Sequence, residues 1–250
     1  MALLFTAFRQ EISDPEYFYG VQAIDTATQL EPYLSFRGAT VVDVGGGAGF
    51  FSKEFTTRGA SCLLVEPFAR PTAPAPGSFS DAQARHDFLV TAGRLMPDRT
   101  IAGDGMALGL PDEIADLAFS SNVLEHVRDP KALLAEQWRV TKPGGVVYVS
   151  YTLWWGLWGG HETSPWHYLG GRYAARRFEK RNGRRPGNYF GESLFGYRVG
   201  PILKAARALP HSELHIFPRY YPRWLHWLIW IPGLREVAAW NLVLVLRKPA

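Results

Sequence analysis

One segment constrains the fold of this 250-residue chain more than any other. It is a β-branched run, Ala39 to Val44, that ends on an acid and opens into glycines: Asp43-Val44-Gly45-Gly46-Gly47-Ala48-Gly49. The run reads as a buried strand. The glycines let the backbone bend sharply and approach a ligand closely. The residues that follow, Gly49 to Arg58, have helical spacing with Phe51 and Phe55 on one face. Strand, glycine turn and helix in this order predict a ligand site at the carboxyl end of the first strand of an open α/β sheet.

Strand and helix signals alternate through the first 150 residues or so. An N-terminal helix is expected over Asp14–Leu34, and a second strand over Ser61–Val65, ending at Glu66. Pro67–Gly77 is rich in Pro and Ala and reads as loop. A helix is expected over Asp81–Leu95, a third strand over Arg99–Ala102 and a fourth over Ala115–Ser120. Asp129 and Pro130 open a helix that Pro143-Gly144-Gly145 closes, and Val146–Tyr151 is a fifth, wholly apolar strand. Such alternation implies right-handed crossovers and a parallel sheet covered on both faces. Beyond it, 152–197 is rich in Trp, Gly and Arg without a clear period, and is expected to be an inserted cap over the active-site end. Val199–Ala208 reads as helix, and Glu213–Phe217 and Asn241–Arg247 as the final strands, with an aromatic helical stretch between them.

Composition narrows the classes. Apolar residues form 47% of the chain, enough for a sizeable core, and the formal charge of +4 does not call for a nucleic-acid partner. The single cysteine, Cys62, excludes an internal disulfide and fits a reducing, cytoplasmic compartment. Met1–Phe8 lacks the features of a signal peptide. The apolar stretch Trp224–Leu246 is broken by Pro232, Gly233, Arg235 and Glu236, so a spanning helix is not expected, although contact with a membrane surface is compatible with it. A single domain over 1–250 follows, with 152–197 as its cap.

The glycine turn does not fit the dinucleotide fingerprint Gly-x-Gly-x-x-Gly: the third glycine falls on Phe50 when counted from Gly45, and on Ser52 from Gly47. Asp43 also suits a zwitterionic cation better than a pyrophosphate. The run Val41–Phe50 resembles motif I of class I S-adenosylmethionine (SAM)-dependent methyltransferases. Gly103-Asp104-Gly105-Met106 resembles that family's third-strand turn, and Phe119–Val127 the segment after the fourth strand in the methyltransferase type 11 group, which is ubiquinone/menaquinone-methyltransferase-like. Lys142-Pro143-Gly144-Gly145 resembles the turn before the fifth strand. The resemblance covers roughly residues 39–151. It implies a Rossmann-like α/β fold, mostly parallel with an antiparallel last strand, and SAM as cofactor. It further implies cofactor contacts from Asp43, Gly45, Gly46, Gly47, Glu66, Asp104, Gly105, Met106, Ser121 and Asn122. Glu66 would grip the ribose hydroxyls and Asp104 the adenine amino group. Tyr17 and Tyr19 are candidates for a lid, with Tyr19 against the cofactor.

The acceptor side has fewer signals. His161-Glu162 and His167 lie among Trp154, Trp155, Trp158 and Trp166. An imidazole titrates near neutrality and a carboxylate can fix its tautomer. His161 or His167, with Glu162 as partner, are therefore the candidate general bases, and the alternative is that they stabilise an irregular segment. No resident metal is expected. The basic run from Arg172 to Arg185 is either a solvated helix face or a contact for phosphate, and the C-terminal tryptophans either pack on the sheet or meet a membrane. The acceptor expected is a small-molecule, lipid or glycolipid hydroxyl. The alternatives are a soluble aromatic or quinone-like acceptor, or a catalytically silent SAM-binding protein.

Overall fold

The computed structural model describes residues 15–67 and 99–250. The helix expected at Asp81–Leu95, and the loop beyond Pro67, lie outside them. Helix α1 (Pro15–Leu30) leads to β1 (Thr40–Val44), α2 (Phe50–Thr57) and β2 (Ser61–Glu66). Then follow β3 (Thr100–Ala102), β4 (Ala115–Ser121), α3 (Pro130–Val140) and β5 (Thr141–Thr152). Between β5 and Val199 lie two short 3-10 turns and α4 (Gly171–Asn182). The chain ends with α5 (Val199–Ala208), β6 (Glu213–Pro218), α6 (Leu234–Ala238) and β7 (Asn241–Arg247).

These strands make one seven-stranded sheet in the order β3-β2-β1-β4-β5-β7-β6. The pairs β1–β2, β1–β4, β2–β3 and β4–β5 are parallel, and β7 is antiparallel to both β5 and β6. The chain winds outward from β1 to β3, then returns to β4 on the other side of β1. That reversal opens the crevice in which doubly wound sheets take their ligands.

The pleat explains the two cores. Along β4 and β5, Leu117, Phe119, Val146 and Tyr148 face α1 and α2, packing with Ala23, Ala27, Phe51 and Phe55. Their neighbours Ala118, Val147 and Val149 face α3 and α5, packing with Leu133, Leu134, Ile202 and Leu203. Strands buried on both faces read as continuous apolar runs, which makes these segments recognisable in the sequence.

The ends of α3 follow simple capping chemistry. Asp129 accepts from the Lys131 and Ala132 amides, and Pro130 occupies the first turn. The other end departs from expectation. The helix stops at Val140, and Pro143-Gly144-Gly145 lies within β5 rather than before it. Pairing with β4 jumps from Ala115–Thr141 to Leu117–Val146, so the Pro-Gly-Gly segment is a bulge, with Gly144 at φ 75°.

Candidate active site

The glycine turn is built around two carboxyl groups. Asp43, at the end of β1, is fully buried, and its Oδ2 accepts from Ser52 Oγ at 2.7 Å. Burial pushes its pKa up to about 7; the Ser52 bond pulls downward, while the Glu66 charge adds to the rise. Asp43 Oδ1 is buried with no hydrogen-bond partner. Gly46 packs so closely that a Cβ there would lie 2.4 Å from Asp43 Oδ2 and 2.4 Å from Leu64 Cδ1. Gly45, Gly47 and Gly49 all have left-handed φ. Glu66, at the end of β2, accepts the Gly47 amide through Oε1 at 2.5 Å, bracing the turn from the neighbouring strand.

Next to β2, the Glu66 carbonyl accepts the Gly103 amide at 3.2 Å. Asp104 is exposed, and its Oδ1 accepts the Met106 amide at 2.8 Å. Gly105 lies tightly against Val44 and Leu133, where a Cβ would come within 3.0 Å of a side-chain carbon of each. Tyr19 packs its ring 5.3 Å from Phe50, at the start of α2, whereas Tyr17 is exposed.

At the end of β4, Ser121 and Asn122 are engaged by the protein itself. Ser121 Oγ accepts from Arg219 Nη1 at 2.8 Å, and Asn122 Oδ1 accepts from Asn241 Nδ2 at 2.6 Å. Asn122 adopts φ 57°. Arg219, which sequence reading passed over, is buried just beyond β6. It reaches Ser121 and Ser150 with Nη1 and Thr26 with Nη2, tying β4, β5 and α1 together.

The three acceptor-side candidates fall in different surroundings. His167 is buried against Trp154 and Tyr168, and its Nε2 bonds to the Gly156 carbonyl at 3.2 Å. Glu162 turns away from His161: its two oxygens accept from the backbone and side-chain nitrogens of Asn188, both at 3.0 Å. Burial raises its pKa, but these hydrogen bonds outweigh that and hold it below the ordinary value. Adjacent residues in a tight 3-10 turn project in different directions, which separates this pair. His161 instead meets the 3-10 turn Leu124–His126 that follows β4. Its ring centroid is 5.1 Å from that of His126, and one ligand-type atom from each of Glu125, His126 and His161 lies within 4.8 Å of the others. Burial, and then the His126 charge, hold the His161 pKa below that of an ordinary histidine.

The same turn anchors the segment between β5 and α5. The Phe195 amide donates to the Glu125 carbonyl, the Ser193 carbonyl bonds His126 Nδ1, and Tyr197 Oη donates to the Val127 and Arg128 carbonyls. The basic run is divided. Arg176, Arg177, Lys180 and Arg181 line a surface depression with Tyr173, and Arg185 pairs with Glu179 and Glu192. Arg177 also lies 3.9 Å over the Trp166 ring.

A protein of Mycobacteroides abscessus described as an uncharacterized methyltransferase is 43% identical over 98% of this chain and 92% of its own length. The chain belongs to the SAM-dependent methyltransferases. The methyltransferase-domain family matches residues 42–149, the span from β1 to β5. Among solved structures, the fold is similar to that of an S-adenosylmethionine-dependent methyltransferase from Mesorhizobium loti. The TM-score is 0.54 and the identity 21%, over 90% of this chain and 98% of that one. A SAM-dependent methyltransferase from Archaeoglobus fulgidus gives 0.53 and 12% identity, over 91% and 94%. The cofactor of this methyltransferase is SAM. The cradle fits it: glycines where side chains would collide, a buried carboxyl with one bare oxygen, and acids ending two neighbouring strands.

Proposed function

We propose that this methyltransferase acts on a hydroxyl oxygen of a lipid or glycolipid acceptor, with His161 receiving the proton. The observation that carries the reading is the meeting of His161 with Glu125 and His126 at the carboxyl end of β4, beside the crevice. An oxygen acceptor gains from a base in the transition state. His161 suits that role, because its depressed pKa keeps the imidazole neutral near pH 7 and its Nδ1 has no hydrogen-bond partner. The Glu125 charge would steady the imidazolium once the proton arrives. His167 and Glu162, tied to Gly156 and Asn188, shape the cap around that base.

For the donor, Asp43, Gly45, Gly46 and Gly47 would hold the amino-acid end, Glu66 the ribose, and Asp104, Gly105 and Met106 the adenine. Ser121, Asn122 and Tyr19 would close the crevice. Bound SAM supplies a methyl group activated on a sulfonium; the chain contributes alignment and a dry pocket. Exposed Trp224, Trp227 and Trp230 support the lipid half of the reading, since indoles favour membrane interfaces.

The test is transfer of labelled methyl from SAM to fractionated lipid and aqueous extracts, comparing wild type with His161→Ala. The variant is expected to lose about 10²–10⁴-fold in kcat while binding S-adenosylhomocysteine (SAH) as wild type does. Wild-type kcat should rise with pH as His161 deprotonates, its midpoint below that of an ordinary histidine. Unchanged kcat in the variant would remove His161 from the reaction.

A further inference from the structure

We propose that Glu125, His126 and His161 form a binding site for a divalent first-row transition-metal cation. The assignment rests on the reading of this cluster as the acceptor end of the active site, and it makes the cation an inhibitor of that reaction, because a cation on His161 Nδ1 takes the lone pair that would receive the proton. Two imidazoles and a carboxylate are a borderline donor set suited to Zn²⁺, Fe²⁺, Mn²⁺ or Co²⁺, whereas Mg²⁺ and Ca²⁺ prefer oxygens alone. Three protein ligands also leave a coordination position open.

The groups around the cluster orient these donors as outer-shell partners orient ligands. The Thr152 amide holds Glu125 Oε1 at 3.0 Å, and Oε2 is buried with no hydrogen-bond partner. Glu125 is 2% exposed, and Arg219 forms no ion pair with it, bonding to three hydroxyls instead. His126 bonds the Ser193 carbonyl through Nδ1 at 2.7 Å, so that nitrogen carries the proton and Nε2 keeps its lone pair. A hydrogen bond with the Gly159 backbone steadies His161, whose Nδ1 is buried without a partner. A bare buried carboxylate oxygen and a bare buried imidazole nitrogen each cost free energy, which a shared cation would offset. Donor atoms already within 4.8 Å need only small side-chain rotations to reach the roughly 3 Å separations set by bonds of about 2.1 Å.

The experiment is a titration of chelator-treated wild-type protein with Co²⁺, followed by its visible d–d absorption. Saturation at one equivalent is expected. His161→Ala and Glu125→Gln should weaken binding at least about tenfold, a loss typical of a removed ligand contact, while SAH binding is unchanged. A second measurement needs no variant: Co²⁺ should protect His126 from modification by diethyl pyrocarbonate, read by mass spectrometry. No saturable binding, wild-type affinity in both variants, or equal His126 modification with and without Co²⁺ would overturn the site. Co²⁺ binding by protein that, when metal-free, methylates no hydroxyl would leave the site standing and remove the proposed reaction. Hydroxyl methylation by wild-type protein that binds no Co²⁺ would do the reverse.

Discussion

Asp43 holds its proton up to about pH 7, because a charge in its buried position has Ser52 to bond one oxygen and nothing to bond the other. In the unfolded chain the same carboxyl titrates near its ordinary value of 3.8. The folded form therefore binds the proton more tightly, so the group's contribution to stability is full below about pH 4 and is lost as pH rises to about 7. Ligand-free stability of wild type, relative to Asp43→Asn, should fall by roughly 4 kcal/mol across that window, about 1.4 kcal/mol for each pH unit between the two values. Urea unfolding at a series of pH values measures the difference, and a pH-independent difference would show that Asp43 is not so perturbed. Gly46 makes a second residue-scale prediction. Its Cβ would collide with Asp43 Oδ2 and Leu64 Cδ1, so Gly46→Ala should cost about 1–3 kcal/mol by overpacking. It should also weaken SAH binding in calorimetry; wild-type affinity would mean that the turn tolerates the displacement.

At the scale of elements, α2 is held to the sheet by aromatic packing. Phe119 is fully buried, stacked on Tyr148 at 4.9 Å and edge-on to Phe55 at 5.0 Å. Phe119→Ala should destabilise the protein by about 3–5 kcal/mol in urea unfolding. A loss under about 1 kcal/mol would mean that the site collapses to fill the space. These elements were legible in the sequence because their signals are local. β1 and β4 are apolar runs bounded by turn residues, and Asp129-Pro130 marks where α3 starts. Other features were illegible for an equally physical reason. Glu125 stood in a recognised motif, yet its meeting with His161 depends on how the irregular segment after β5 folds back. Glu162 was paired with His161 by sequence adjacency, and Asn188 takes it instead. Arg219 carries no local signal, since its partners Thr26, Ser121 and Ser150 are distant in sequence. Pro143-Gly144-Gly145 reads equally as a turn or a bulge, and only its pairing with β4 decides.

Over the whole molecule, the reversal between β1 and β4 opens a crevice, and the segment between β5 and α5 reaches the turn after β4 at Glu125 and His126. The aromatic stretch before β7 adds a separate surface. Trp224, Trp227 and Trp230 are 72%, 51% and 60% exposed, with Ile231 and Val237 also exposed. Contiguous apolar exposure of this kind marks interaction surfaces. None of the described helices is long and apolar enough to cross a membrane. Liposomes containing anionic lipid should co-sediment the wild type. Replacing the three tryptophans with serine should reduce the bound fraction several-fold; equal binding would assign these side chains another role. The proposed reaction is methyl transfer from SAM to a lipid-type hydroxyl at His161. Its most direct measurement is the fate of label from methyl-labelled SAM in lipid extract. Label is expected in an ether stable to mild alkali, formed by wild type and nearly lost with His161→Ala. Label confined to aqueous acceptors, or equal labelling by the variant, would contradict it.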